Sequence, residues 1–167
     1  MRRTLMTVCA CLGAAISVSS AEAQIAASVN GVMAAQDVTG TFTVQRFVTD
    51  GDRLMAVGLL GDVAAAPSSP ARPKETLRIT VTDLARSCET LRIDLGPVDL
   101  DLQGAPLHLN EFAILVSDPQ RGPLTRSLCS IAGAPNEAAS LAGRLNELVE
   151  LVGCLMRGAG ECSERAS

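Results

Sequence analysis

The sequence predicts an α+β fold: a twisted antiparallel β-sheet with two C-terminal helices packed on one face. Three observations predict it. Apolar residues recur at every second position in several runs between Phe42 and Val116, the period of a half-buried strand. The connections between those runs are too short for parallel crossovers. After Ser117 the spacing changes to three and four, the period of an amphipathic helix.

The first 23 residues stand apart from this pattern. Arg2 and Arg3 precede an uncharged, mostly apolar run from Thr4 to Ala21, and Ala21-Glu22-Ala23 places small residues where a signal peptidase reads. This is the form of a signal peptide cleaved after Ala23. Val8-Cys9-Ala10-Cys11 faintly resembles a lipid-attachment box, but the apolar run before that cysteine is short for such a signal. Export would leave residues 24–167 as a single domain, secreted or periplasmic, with no membrane-spanning segment.

Within it, residues 24–39 have weak periodicity and read as a frayed start with one edge strand. "GTFTVQRFVTDGDRLMAVGLL" then predicts a hairpin. Phe42, Val44 and Val48 share one parity, and Asp50-Gly51-Asp52 supplies the turn. Gly58 in the return strand suggests a bulge or close packing. Ala64 to Glu75, with three prolines, reads as a loop. "TLRITVTDL" alternates Leu77, Ile79 and Val81 with polar residues, as a half-buried strand does.

Leu91 to Leu109 contains two or three short strands separated by Gly96-Pro97 and by Gln103 to Pro106. The apolar parity slips at Asn110-Glu111 and resumes with Phe112, Ile114 and Val116, which suggests a β-bulge. Leu124, Leu128 and Ile131 predict a short helix over Pro123 to Ala132, ended at Gly133. Leu141, Leu145, Leu148, Val152 and Leu155 form the stripe of a second helix, with Asn136 as its expected N-cap.

Composition narrows the function. Without Arg2, Arg3 and Glu22, the 14 basic and 18 acidic residues become 12 and 17, a net charge of −5. That balance disfavours nucleic acid and anionic membranes, whose phosphates need clustered cations. Trp and Tyr are absent and Phe occurs three times, so stacking sites for sugars or single-stranded nucleic acid are not expected. Four cysteines follow the predicted cleavage point: Cys88, Cys129, Cys154 and Cys162. An even number in an exported chain predicts disulfides, with three possible pairings. Cys154 meets Cys162 if the chain turns back at Gly158 and Gly160, and Cys88–Cys129 is then the second bridge.

The phrases "CETLRIDLGPVDLDLQGAPLHLNEFAILVSD" and "GPLTRSLCSIAG", together with the early Phe-rich hairpin, resemble a group of uncharacterised secreted bacterial proteins. The shared core is Cys-x-x-Leu-x-Leu-x-Leu-Gly-Pro-x-Asp-Leu, and the likeness extends over roughly residues 40 to 155. Leu102-Gln103-Gly104-Ala105 departs from the Leu-Leu-Gly-Leu usual there. The resemblance implies export and supports pairing Cys88 with Cys129, and it brings no activity.

Few residues suggest chemistry. Asp94, Asp99 and Asp101 are weak metal candidates, since hard cations take converging oxygens. Their spacing matches no calcium loop, so a solvated strand face is the expectation. Asp50 and Asp52 belong to a turn before a cation site. His108, the single histidine, lacks a Gly-x-Ser-x-Gly elbow or any serine placed beside it by a motif. No catalytic residue, cofactor or metal site is therefore assigned. The sequence predicts an exported non-catalytic module, structural or protein-interacting at the cell envelope or outside the cell. The alternative is a carrier of an apolar small molecule or lipid held between sheet and helices.

Overall fold

The structure is a computed structural model, and the residues described are 25–65, 74–119 and 121–157. The predicted signal peptide, most of the proline-rich loop and Cys162 lie outside them. Eight strands and two helices follow in chain order: β1 (Ile25–Met33), β2 (Gln36–Asp50), β3 (Arg53–Ala64), β4 (Glu75–Arg86), β5 (Thr90–Leu95), β6 (Val98–Leu102), β7 (Ala105–Leu109), β8 (Phe112–Ser117), α1 (Thr125–Ala132) and α2 (Ala138–Arg157). The predicted α+β architecture is present. One curled antiparallel sheet, a half-barrel, runs in the order β6-β7-β1-β2-β3-β4-β5-β8, and both helices pack on one face.

The curl follows from the stretch 90–117, which is one long hairpin broken in the middle. Its inner half pairs β5 with β8, and its outer half pairs β6 with β7 around the Gln103-Gly104 turn. β5 also pairs with β4, while β7 pairs with β1. The two breaks, Gly96-Pro97 and Asn110-Glu111, therefore carry the chain between opposite ends of the sheet order. A flat sheet of eight strands would hold those ends far apart at nearly 5 Å per strand. Curling brings them within a two-residue step.

This corrects the bulge expected at Asn110-Glu111. The parity slip there marks a change of partner strand, from β1 to β5. The Asn110 N–H donates to the Asn30 carbonyl at 2.9 Å, so the chain keeps its hold on β1 until it turns away.

The frayed start expected for residues 24–39 is also corrected. β1 is internal, paired on one side with β2 and on the other with β7. Its alternation is faint because Ala27 and Gly31 hold inward positions beside Ile25, Val29 and Met33. Gly31 is required by the closure: a Cβ there would lie 2.2 Å from the His108 carbonyl oxygen.

In β2 the ladder to β3 shifts between Val44 and Arg46, so Gln45 is a bulge. The shift turns Phe47 inward in place of Val48, the residue whose parity matched Phe42 and Val44. Gly58 lies opposite Val44, beside the bulge. A Cβ on Gly58 would come within 2.3 Å of the Thr43 carbonyl and 2.7 Å of the Phe42 ring. The Asp50-Gly51-Asp52 reversal is as predicted, with Gly51 at a φ of 59°.

The inward face and the helices share one apolar core. Phe42, Leu60, Ile79, Leu91, Ile93, Leu95, Leu107, Leu109 and Ile114 meet Leu128 and Ile131 of α1 and Leu141, Leu145 and Leu148 of α2. The Phe42 and Phe112 rings meet edge to face at 5.7 Å, a favourable quadrupole arrangement. α2 docks against β2 and β3. Among the described residues the β1–β2 ladder runs to Ile25 opposite Val44, and Phe47 has no β1 partner there. Asn146 supplies one: its Oδ1 accepts from the Phe47 N–H at 2.6 Å and its Nδ2 donates to the Phe47 carbonyl at 2.9 Å. A side-chain amide thus completes the ladder with the geometry of a peptide.

Two variants test this account. Gly31→Ala forces β7 away from β1 and is expected to destabilise by about 3 kcal/mol in urea unfolding, at the upper end of overpacking costs. Asn146→Ala leaves a strand N–H and C=O unpaired and is expected to cost about 1–3 kcal/mol. Wild-type midpoints for either variant would refute the corresponding contact.

Candidate functional site

The three aspartates singled out from the sequence are each engaged separately, on different parts of the sheet. Asp94 on β5 accepts a bidentate pair from Arg92, with Nε at 3.0 Å and Nη2 at 2.8 Å. The strand's two-residue period places both side chains on the face away from the core. Their hydrogen bond and charge attraction push the Arg92 pKa upward, and Asp83 and Glu111 add to the negative field there. Asp99 on β6 lies 2.6 Å from His108 Nδ1 across the β6–β7 ladder. Asp101 accepts from the Gly104 N–H at 2.5 Å, closing the hairpin turn. Among the described residues no three His, Cys, Asp or Glu side chains are grouped to hold a metal ion.

His108 and Asp99 form half of a familiar catalytic arrangement, a carboxylate orienting an imidazole. The other half is not present among the described residues. Both side chains are exposed on the solvent face, in a row running Asp99, His108, Val32, Asp37 across β6, β7, β1 and β2. No serine, threonine or cysteine of the described residues hydrogen-bonds His108. Among the described residues the pair has neither a nucleophile bonded to it nor a walled cleft around it.

Asp52 lies on an open depression of about 460 Å³ whose walls include Arg53, Asp83, Arg86, Asn136 and Leu141. Arg86 is already committed there. Its Nη1 donates to the Ile131 and Ala134 carbonyls at 3.0 and 3.1 Å, closing the C-terminal end of α1. Its Nη2 donates to Asn136 Oδ1. Asn136 is consequently not the N-cap of α2. The helix starts at Ala138, and the Glu137 carbonyl takes the first helical hydrogen bond, from Leu141.

A second buried carboxylate, in addition to Asp94, was not anticipated. Asp118, only 8% exposed, accepts from the Gly122 N–H at 2.8 Å, the Thr125 N–H at 2.9 Å and the Thr125 hydroxyl at 3.1 Å. Leu124, at the N-cap position, has no capping side chain. Asp118 therefore caps α1 from a distance, and its charge favours that helix end. The Gly122 hydrogen bond, helped by those to Thr125 and Leu124, holds its carboxyl below the usual range against the cost of burial. The sequence signal is the spacing of Asp118 before Gly122 and Thr125, hidden in what looked like a plain chain break.

The disulfide Cys88–Cys129 is present, with Cα atoms 4.1 Å apart. It ties the β4–β5 turn to α1, so it spans the two layers. Cys154 is disulfide-bonded as well, and its predicted partner, Cys162, lies outside the described residues. No helix of the described residues is long and apolar enough to cross a membrane. No protein-family model, curated protein or solved structure matches this chain.

Two measurements follow from this geometry. Because its folded pKa is lowered, Asp118 contributes stability that is complete above the ordinary carboxylate range near pH 4 and is lost as pH falls through the folded value. Asp118→Asn is expected to flatten the acid side of a stability–pH curve, and an unchanged acid slope would refute the capping role. Replacing both Cys88 and Cys129 by serine is expected to cost about 4 kcal/mol, the chain-entropy estimate for a 41-residue separation.

Proposed function

We infer that the protein is an exported, non-catalytic module, structural or protein-interacting at the cell envelope or outside the cell. The observation that carries this reading is the Cys88–Cys129 bridge clamping the sheet to α1 over a filled core. Disulfides persist in oxidising compartments and stabilise small exported domains. The N-terminal sequence, with its two arginines, apolar run and Ala21-Glu22-Ala23, supports the same route. So does the resemblance to secreted bacterial proteins carried by Cys88 to Leu100.

The polar groups favour a module over an enzyme. Asp94, Asp99, Asp101 and Asp118 each bind a partner within the fold, and their bonds run to separate places on it. A catalytic centre instead needs its acid, base and nucleophile on one reacting atom. The apolar groups disfavour the carrier alternative. Between sheet and helices lie Phe42, Leu60, Leu95, Leu128 and Leu145, almost wholly buried against one another. A lipid site needs a comparable area left uncovered for the ligand.

The test is native mass spectrometry of protein recovered from an exporting host. The expected species starts at Gln24, carries two disulfides and has no bound small molecule. A lipid adduct would move the assignment to the carrier, while a chain retaining residues 1–23 or reduced at Cys88 would overturn export.

A further inference from the structure

Two strands end the sheet order, β6 and β8, and they differ in what lies beside them. β7 and β8 follow one another on one arm of the 90–117 hairpin. The edge of β8 that turns away from β5 lies against β1. β6 is in substantial contact with β7 alone, and no described strand pairs with its outer edge.

The hydrogen-bond pattern names the groups on that edge. The Asn110 N–H donates to the Asn30 carbonyl, and β1 pairs with β7 in the same register, with Val32 opposite His108. Backbone groups alternate between the two sides of an antiparallel strand. His108 therefore turns its backbone toward β1, while Leu107 and Leu109 turn theirs toward β6, where they meet Leu100 and Val98. By the same alternation Asp99 and Asp101 turn their N–H and C=O to the outer edge. Their carboxylates lie on the solvent face, with Asp99 86% exposed. Asp99 offers Oδ1 to His108, and Asp101 offers Oδ1 to the Gly104 N–H. Among the described residues each keeps an Oδ2 open to a further donor. On the inner face Val98 and Leu100 are only half-buried where they flank the core.

We propose that the outer edge of β6 takes up an extended segment of a partner protein as an added antiparallel strand, one that alternates basic and apolar residues. This deepens the protein-interacting reading and rests on it. Main-chain bonds to Asp99 and Asp101 supply the attachment, and side chains supply the choice of partner. Residues directly opposite one another in an antiparallel pair share a face. Lysines or arginines opposite Asp99 and Asp101 thus meet the two carboxylates, and the apolar residue between them covers Leu100. A second copy of β6 is disfavoured, because its own aspartates would come opposite these and like charges there repel. The carboxylates that guard the edge against self-pairing thereby select a cationic strand. The net negative charge of the chain steers the same partner.

The probe is the capped pentapeptide Val-Lys-Val-Lys-Val, titrated to millimolar concentration and followed through the Asp99 and Asp101 amide signals by NMR. Both signals are expected to shift and saturate. Asp99→Asn is expected to raise Kd about threefold, the effect of one cross-strand charge pair, and its remaining amide signals report an intact fold. Backbone N-methylation of both lysines is expected to abolish binding, since those N–H groups face β6. N-methylation of the central valine, whose N–H faces away, is expected to spare it. No shift at Asp99 and Asp101 overturns the proposal, as does an unchanged Kd in Asp99→Asn. Equal binding by a glutamate analogue, or equal effects of N-methylation at the two kinds of position, also overturns it, because strand pairing to a charged edge predicts neither. Failure here removes the acceptor edge and leaves the exported module standing, since a processed, ligand-free mass tests that separately.

Discussion

The arrangement depends on one close approach: β7 lying against β1 across Gly31. β1 has to receive strands on both of its edges, β2 from the chain just after it and β7 from about 75 residues downstream. A side chain at Gly31 would occupy the place of the His108 carbonyl. With that contact made, the hairpin 90–117 is held at both of its outer edges, to β1 through β7 and to β4 through β5. The sheet has no freedom left to flatten, and its inward face becomes a concavity that Phe42, Leu95, Leu107 and Ile114 fill.

The same closure decides where helices are needed. β2 continues past Val44, the partner of the first described residue Ile25, and α2 packs on that part of it. Ordinary side-chain burial holds α2 there, but directional bonds fix its position. Asn146 pairs with Phe47 as a strand residue would, Arg86 gathers the carbonyls at the end of α1, and Asp118 closes its beginning. Each satisfies backbone groups that would otherwise be stranded near the core. The Cys88–Cys129 bridge then restricts the unfolded chain across the same boundary. The two layers are thus joined by hydrogen bonds that set geometry and by a covalent bond that adds stability without setting much of it.

The elements were legible wherever the residues alternate cleanly. β4, the 50–52 turn, the alternating runs of 91–109 and the helical stripes of α1 and α2 follow from period two, from Gly51 and from leucines three and four apart. Legibility failed where small residues hold inward places, as with Ala27 and Gly31 in β1. It failed also where one signal has two physical causes. A parity slip of one residue reads the same for a bulge, as at Gln45, and for a strand that leaves its partner, as at Asn110-Glu111. Only long-range pairing separates the two. Asp118 and Asn146 were missed for a related reason: each is a polar residue whose partners are backbone groups, and backbone groups carry no residue identity in a sequence.

That distinction bears on function. In "LRIDLGPVDLDLQGAPLHL" the aspartates and the histidine drew notice because their residue types also serve catalysis. Their bonds show what they contribute here. Arg92–Asp94 neutralises charge beside Asp83 and Glu111 on the outer face, His108–Asp99 joins β6 to β7, and Asp101 closes the turn at Gly104. Asp94 is itself buried, at 8% exposure, beneath an exposed guanidinium, whereas His108 and Asp99 are both exposed. Charges on a sheet face and edge also discourage pairing with other chains, which matters for a half-barrel whose β6 and β8 end the sheet order. The polar residues of the stretch thus serve solubility and register, while its leucines, inward at Leu91, Leu95, Leu102, Leu107 and Leu109, build the concavity. Asp94, Asp99 and Asp101 are thus bonded to the chain's own arginine, imidazole and backbone amide, and those bonds hold the strands and the turn of this stretch in register.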